Sequence, residues 1–176
     1  MITAGDALMA VLLGERSPAG KLPYTWYSRG FAQSRGVIYD NDLRSGHGIT
    51  YRYWTGAPAL LEYGHGLSYT NFSYSWASAP AQSISAAALA AGNLAMQITV
   101  TNTGAVDADA VVLVFVKVDL SSLTTQRGCP LKSLAGFERV HVTAGASATV
   151  AIEVRCTCMC CVCTVCVDCC CAEHDA

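Results

Sequence analysis

The sequence predicts a mainly β protein in which a β-sandwich follows an αβ unit and a long aromatic connection. Three observations lead there. After Asn71 the chain breaks into short alternating or β-branched apolar stretches separated by turn residues, the pattern of a sandwich. Before Ser28, one helical period, a Pro/Gly turn and one alternating stretch follow each other. Between them residues 28–70 show no sustained period, yet thirteen of the chain's fifteen Phe, Trp and Tyr lie between Tyr24 and Trp76.

The bulk properties narrow the field. At 176 residues the chain makes one ordinary domain or two small ones. A net charge of -2 gives no electrostatic footprint for nucleic acid or an anionic membrane, and no apolar run approaches the ~20 residues of a membrane span. Ala7–Leu13 is apolar but follows Asp6 and precedes Gly14-Glu15-Arg16, so it makes a poor signal peptide and a better buried amphipathic helix. On that reading Met1 marks a truncation rather than a biological start. The 52% hydrophobic content is inflated by alanines in 79–95 and by nine cysteines between Cys156 and Cys171. Outside that tail only Cys129 remains, so cysteine usage says little about the redox compartment.

Taken in order, Ala4–Leu13 places Leu8, Val11 and Leu12 at helical spacing, with Thr3 or Asp6 able to cap and Gly14 able to end the turn. Ser17-Pro18-Ala19-Gly20 is turn chemistry. Lys21–Tyr27 alternates as a strand, with Leu22, Tyr24 and Trp26 on one face. Residues 1–27 thus form an αβ unit of the sort that ends a sheet covered by helices. In 28–70, glycine recurs at seven positions from Gly30 to Gly66. A structureless segment of this length wraps another surface or carries function, and its aromatics need a partner surface that is largely absent from the chain.

The predicted strands then follow at Phe72–Trp76, Met96–Thr103, Ala110–Asp119, Leu134–Val142 and Ala148–Val154. Met96, Ile98 and Val100 point inward. Ala110–Asp119 is a continuous apolar run, which reads as a central strand. Asn102-Thr103-Gly104 and Thr143-Ala144-Gly145 are the turns. The sandwich domain spans 71–155, and a Cys-rich, low-complexity tail spans 156–176.

Two blocks carry a family resemblance. GDALMAVLLGERSPAGKLPYTWY, GITYRYWTG and EYGHGLSYTNFSY, in that order between Gly5 and Tyr74, are similar to the C-terminal part of family-3 glycoside hydrolases, especially β-xylosidases and β-glucosidases. NLAMQITVTNTGAVDADAVVLVFVKVD followed by PLKSLAGFERVHVTAGASATVAIEV resembles the fibronectin type III-like domain that closes many of these enzymes. Together they cover residues ~4–154, where the composition breaks. Residues 1–27 would then be the tail of an α/β sandwich domain, and 71–155 a fibronectin type III-like domain whose closing strands are missing or replaced.

The resemblance implies hydrolysis of terminal β-linked sugars with retention, which needs a carboxylate nucleophile and a carboxylic acid/base. In the family the nucleophile is an aspartate of a preceding barrel domain, and the acid/base is generally a glutamate earlier in the sandwich domain. This chain starts after both, so the resemblance maps no catalytic, cofactor-binding or metal residue onto it. The partners it implies are upstream barrel and sandwich domains and, for the whole enzyme, a β-linked oligosaccharide or glycoside. The family also suits an extracellular or cell-wall setting, although the sequence itself names no compartment. The rival reading is a non-catalytic fibronectin type III-like interaction module.

The chain's own polar residues are weighed on the same terms. Asp40, Asp42 and Glu62 could reach a sugar site; alternatively Asp40 caps a turn and pairs with Arg44. Ile49 stands where the family has an arginine, while Arg52 keeps the second basic position. Tyr51, Tyr53 and Trp54 could stack on a sugar or fill a domain interface. His65, flanked by glycines, reads as a hydrogen-bonded turn residue. Asn71-Phe72-Ser73 is a glycosylation sequon, which has meaning only in a secreted chain. For the tail three readings stand: a low-complexity end, a soft-metal or zinc site lacking the usual spacer between ligand pairs, with His174 adding little, and S-acylation without a basic anchor. Val162, Val165 and Val167 could also supply a substitute strand that covers an otherwise exposed sheet edge.

Overall fold

The computed structural model describes residues 3–34, 41–78, 94–118, 130–154 and 163–167. Helix α1 (Ala4–Leu12) begins where expected. Thr3 is its cap: the Thr3 hydroxyl accepts the Asp6 N–H at 3.2 Å, and the Asp6 carboxylate accepts the Thr3 N–H at 3.0 Å. This reciprocal pairing satisfies two otherwise orphan donors, and the Thr3 side-chain and backbone hydrogen bonds hold the Asp6 carboxyl below its ordinary range. Gly14, at φ +79°, follows the last turn.

The expected burial of α1 is corrected. None of its residues is buried, and Leu8, Met9, Leu12 and Leu13 all stand exposed, Leu12 at 65%. The apolar stripe predicted from the sequence exists, but among the described residues nothing covers it. Only one end is tied down, where the Tyr69 hydroxyl donates to the Val11 carbonyl at 2.8 Å and Ser17 and Ser68 share a hydroxyl contact of 2.8 Å.

A second correction concerns Lys21–Tyr27, which forms no strand. It runs antiparallel to residues 60–65 through separated hydrogen bonds: Leu22 N–H to His65 O and Gly64 N–H to Leu22 O, both 2.8 Å, then Trp26 N–H to Leu61 O at 2.8 Å. Only Trp26 and Leu61 make a β-bridge. Its alternation survives in the stacking of Tyr24 on Trp26, 6.1 Å apart on the exposed side. Two short helices, α2 (Arg29–Ser34) and the single turn α3 (Thr50–Tyr53), punctuate the connection.

Among the described residues the sandwich holds six strands: β1 (Phe72–Ser78), β2 (Leu94–Asn102), β3 (Ala108–Val118), β4 (Lys132–Val142), β5 (Ser147–Val154) and β6 (Cys163–Val167). One sheet is ordered β1-β2-β5 and the other β4-β3-β6, with every pairing antiparallel. Met96, Ile98 and Val100 of β2 and Val150 and Ile152 of β5 face Ala110, Val112, Val114 and Val116 of β3. Apart from Ala110, each such side chain contributes ~1.5–3 kcal/mol when fully buried. Gly136 sits where β4 crosses β5, and a Cβ there would lie 2.5 Å from Ile152 Cγ2. A one-residue irregularity at Val114/Phe115 steps the β4 register over Ala135.

β6 is the substitute strand considered for the tail. It pairs with β3 from Val114↔Val167 to Val118↔Cys163 and gives that edge a hydrogen-bonded neighbour. The register sets Val165 and Val167 opposite Val116 and Val114, the inward residues of β3. The zinc and S-acylation readings rest mainly on residues outside the described set, as do Asp40, Cys129 and His174. Among the described residues no group of His, Cys, Asp or Glu is placed to hold a metal ion, and no helix is long and apolar enough to cross a membrane.

Asn102 is a hub. It is fully buried. Its Oδ1 accepts the Thr70 hydroxyl at 2.5 Å and the Gly104 N–H at 3.1 Å, while its Nδ2 donates to the Val106 and Val142 carbonyls at 2.8 and 3.0 Å. One amide therefore joins the end of the connection, the turn after β2 and the end of β4. Gly104 is required beside it, because a Cβ there would overlap the Thr70 hydroxyl.

Candidate functional site

The connection folds back on the sandwich and with it forms a half-open cavity of about 270 Å³. The expectation that its partner surface lies mostly outside the chain is thereby corrected in part. Tyr51 and Tyr63 stack with ring centroids 4.3 Å apart, and both meet Phe115 edge-on at 5.6 and 6.1 Å. Phe115 lies on the outward face of β3 and is still only 1% exposed. That second cover explains why β3 is apolar on both faces.

Local backbone geometry places these rings. Gly48 has φ +73°, and a Cβ there would overlap the Tyr53 carbonyl oxygen. Thr50 adopts φ +62°, a conformation costly for a β-branched residue. Its N–H donates to the Tyr27 hydroxyl at 2.5 Å. The single turn of α3 that follows projects Tyr51 and Trp54 towards the cavity. Two hydrogen bonds pin α3 to β4 and its approach, Leu131 N–H to Arg52 O at 2.7 Å and Leu134 N–H to the Tyr51 hydroxyl at 3.2 Å. Trp54 is clamped separately. Its indole N–H donates to Ala57 O at 3.0 Å, and its ring packs on Phe31 at 4.5 Å and Tyr27 at 4.8 Å.

Around these walls stand polar groups. Glu62 is exposed at the rim, Lys117 of β3 and Lys132 of β4 stand on the sandwich side, and Thr25 comes from the extended segment. The Lys132 ammonium lies over the Phe115 ring, 5.1 Å from its centroid. Burial first, then the neighbouring Tyr51, push the Tyr63 phenol above its ordinary pKa, so it stays a neutral donor through the physiological range. Two buried polar atoms have no hydrogen-bond partner among the described residues, Thr25 Oγ1 and Arg52 Nε. Buried orphans of this kind are rare and costly.

The sequence candidates separate in space. Of the three carboxylates, Glu62 lines the cavity and Asp42 does not. The Asp42 carboxylate accepts the Arg44 backbone N–H at 3.0 Å and its Nε–H at 3.1 Å. Asp42 thus makes a turn-capping pair with Arg44, and the pairing expected of Asp40 lies outside the described residues. Tyr51 and Trp54 reach the cavity, whereas Tyr53 lies beside Arg52, whose guanidinium carbon is 5.8 Å from its ring centroid. Ile49 occupies the extended position before α3. His65 belongs to a turn, its N–H donating to Glu62 O at 3.1 Å. Asn71 is exposed and precedes β1, and its carbonyl accepts the Thr103 N–H at 2.8 Å.

Thr25, Lys117 and Lys132 were not singled out from the sequence. Lys117 falls within the predicted strand Ala110–Asp119 and Lys132 just before Leu134–Val142, and that was their only signal. A further cluster, Asp109, Arg139 and His141, also escaped notice. Asp109 faces His141 across the β3–β4 ladder, with Nδ1 2.7 Å from the carboxylate, and Arg139 donates to the same carboxylate at 2.5 and 2.8 Å. The His141 hydrogen bond is the largest influence on the Asp109 carboxyl; burial opposes it, the hydrogen bonds and charge of Arg139 add to it, and the net effect holds the carboxyl below its ordinary pKa. Only the strand register brings these residues together.

No protein-family model matches the chain. Among curated proteins, a β-D-xylosidase of Arabidopsis thaliana is 32% identical over 177 aligned positions, covering 85% of this chain and 22% of its own length. A probable β-glucosidase of Neosartorya fischeri is 34% identical over 163 positions, covering 86% and 18%. Among solved structures, a GH3 exo-β-xylosidase in complex with a xylobiose aziridine probe superposes with a TM-score of 0.69 at 30% identity, over 85% of this chain and 21% of that one. A β-glucosidase of Kluyveromyces marxianus gives 0.65 at 28% identity, over 85% and 18%. The chain spans about a fifth of the length of these relatives.

Proposed function

The chain belongs to glycoside hydrolase family 3, as the C-terminal part of a β-xylosidase- or β-glucosidase-type protein, and from that premise we propose that it is the non-catalytic docking part of a retaining β-glycosidase. The whole enzyme would hydrolyse the O-glycosyl bond of terminal β-xylosides or β-glucosides, and this part would brace the domains that carry the two catalytic carboxyl groups.

The observation that carries the reading is the bare apolar face of α1. Leu8, Met9, Leu12 and Leu13 are all at least 49% exposed on one short capped helix. Such a face suits burial against a partner rather than water, and the relatives hold about four-fifths of their length outside the matched segment. The carboxylates point the same way. Retention needs two carboxyl groups about 5–5.5 Å apart across the scissile bond. Glu62 is the one carboxylate among the described residues that line the cavity, and Asp42 and Asp109 are held by their own basic partners.

The test pairs the purified chain with the Arabidopsis β-D-xylosidase truncated ahead of its matching segment. Alone, the chain releases no nitrophenol from nitrophenyl β-xyloside or β-glucoside. Added to the truncated enzyme it raises activity, and Leu8→Ser with Leu12→Ser abolishes the rescue. Turnover by the isolated chain that is lost in Glu62→Gln would overturn the proposal. Failure of rescue by a folded chain favours a free-standing interaction module instead.

A further inference from the structure

We propose that the cavity between α3 and the β3–β4 sheet is an accessory carbohydrate site that takes a single pyranose unit. The choice of a sugar rests on the glycosidase reading above; the existence of a site rests on the geometry alone.

Three features make this a built site rather than a packing gap. Its aromatic walls are held in place before any ligand arrives. Trp54 is fixed by the Ala57 carbonyl at 3.0 Å and by Phe31 and Tyr27, and Tyr51 is fixed by the Leu134 N–H at 3.2 Å and by Tyr63. The Thr25 hydroxyl is buried at the cavity lining without a partner among the described residues, so it has an unmade hydrogen bond to offer. The volume, about 270 Å³, lies just below the ~300–1,000 Å³ of sites for drug-sized ligands. That leaves room for one ring with its substituents.

The lining also selects the ligand class. A pyranose presents an apolar C–H face that packs on Trp or Tyr and a rim of hydroxyls that both donate and accept. Glu62 accepts from such a rim, and the Thr25 hydroxyl serves either role. An aryl group would satisfy the walls but leave Thr25 and Glu62 unpaired. A cation would be drawn to the rings but opposed by Lys117 and Lys132, both on the cavity lining. A sugar ring meets each of these groups with a matching one. Bound there, a glycan chain would be anchored on the non-catalytic part while its terminus remains free for the domains that cleave it.

The experiment titrates the 176-residue chain with xylobiose, with cellobiose and, as controls, with sorbitol and 4-methylphenol, following the Trp54 indole resonance by NMR. One disaccharide saturates a single site with millimolar affinity, and the controls leave the resonance unmoved. Glu62→Gln and Thr25→Val each weaken binding about fivefold or more. Thr25→Val does so without lowering the melting temperature, since it removes a buried hydroxyl that has no partner, an outcome a purely structural Thr25 would not give. Absence of saturable binding by both disaccharides overturns the proposal, as does unchanged affinity in both variants or saturation by 4-methylphenol alone. Rescue of the truncated xylosidase without sugar binding would sink this site and leave the docking reading standing.

Discussion

Replacing Asn102 with alanine puts the organisation of the molecule to the test at one atom group. The substitution deletes four hydrogen bonds of 2.5–3.1 Å from a fully buried amide. Each is worth roughly 1 kcal/mol net, and a partner left buried and unpaired costs ~1–3 kcal/mol. The Thr70 hydroxyl is itself buried, whereas the Val106 carbonyl belongs to an exposed residue that water reaches more easily. Weighing the four gives a loss of about 3 kcal/mol, a large fraction of the ~5–15 kcal/mol that holds a domain folded. With a urea slope of about 2 kcal/mol/M the midpoint falls by about 1.5 M, read by tryptophan fluorescence and by far-ultraviolet circular dichroism. Thr70→Val alone costs about 1 kcal/mol. In the Asn102→Ala background it costs almost nothing, because its partner is already gone. Aspartate does not substitute, since its carboxylate would face two carbonyl oxygens where Nδ2 now donates. A midpoint within 0.2 M of the parent, or additive effects of the two changes, would refute the assignment of Asn102 as the joint between connection and sandwich.

Three further outcomes follow from the same geometry. Gly136→Ala drives a methyl to 2.5 Å from Ile152 Cγ2 and destabilises the sandwich by about 1–3 kcal/mol in urea melts, whereas Gly145→Ala, with open space around the new Cβ, loses stability only through its φ of +73°. Because His141 and Arg139 hold the Asp109 carboxyl below its ordinary pKa, its stabilising contribution is complete above the unfolded value of ~3.9. It is lost as pH falls through the lower folded value, so Asp109→Asn flattens the acid limb of a stability–pH profile and leaves the alkaline limb unchanged. Deleting residues 156–176 removes β6 and leaves that side of β3 unpaired; light scattering then shows concentration-dependent association that the full chain lacks.

How far the sequence reached depended on whether the deciding force was local. The helix cap at Thr3, the stop at Gly14 and the inward set Met96, Ile98 and Val100 follow from neighbours along the chain, and each stands where its pattern put it. Lys21–Tyr27 did not become a strand, although its alternation is sound, because strand formation needs a continuous ladder. The facing segment 60–65 offers bonds only near Leu22 and Trp26. The burial of α1 failed for a related reason. Amphipathicity states which face seeks a partner, not whether the partner is present.

The cavity was half legible, and the missing half shows how the connection and the sandwich depend on each other. Tyr51, Trp54 and Glu62 stood out as residue types suited to a sugar, but nothing local distinguished wall from filler. That depended on Phe115, whose place in an apolar run read simply as strand core. Phe115 is the one ring of the chain within β3, and on its outward side it is covered by Tyr51 and Tyr63, with Lys132 over its face. The sheet needs the connection to keep that face dry, and the connection needs Phe115 to order its two tyrosines. The 28–70 segment is therefore not a tether between independent units. Loss of either surface loosens the other, and the cavity exists only where the two are joined.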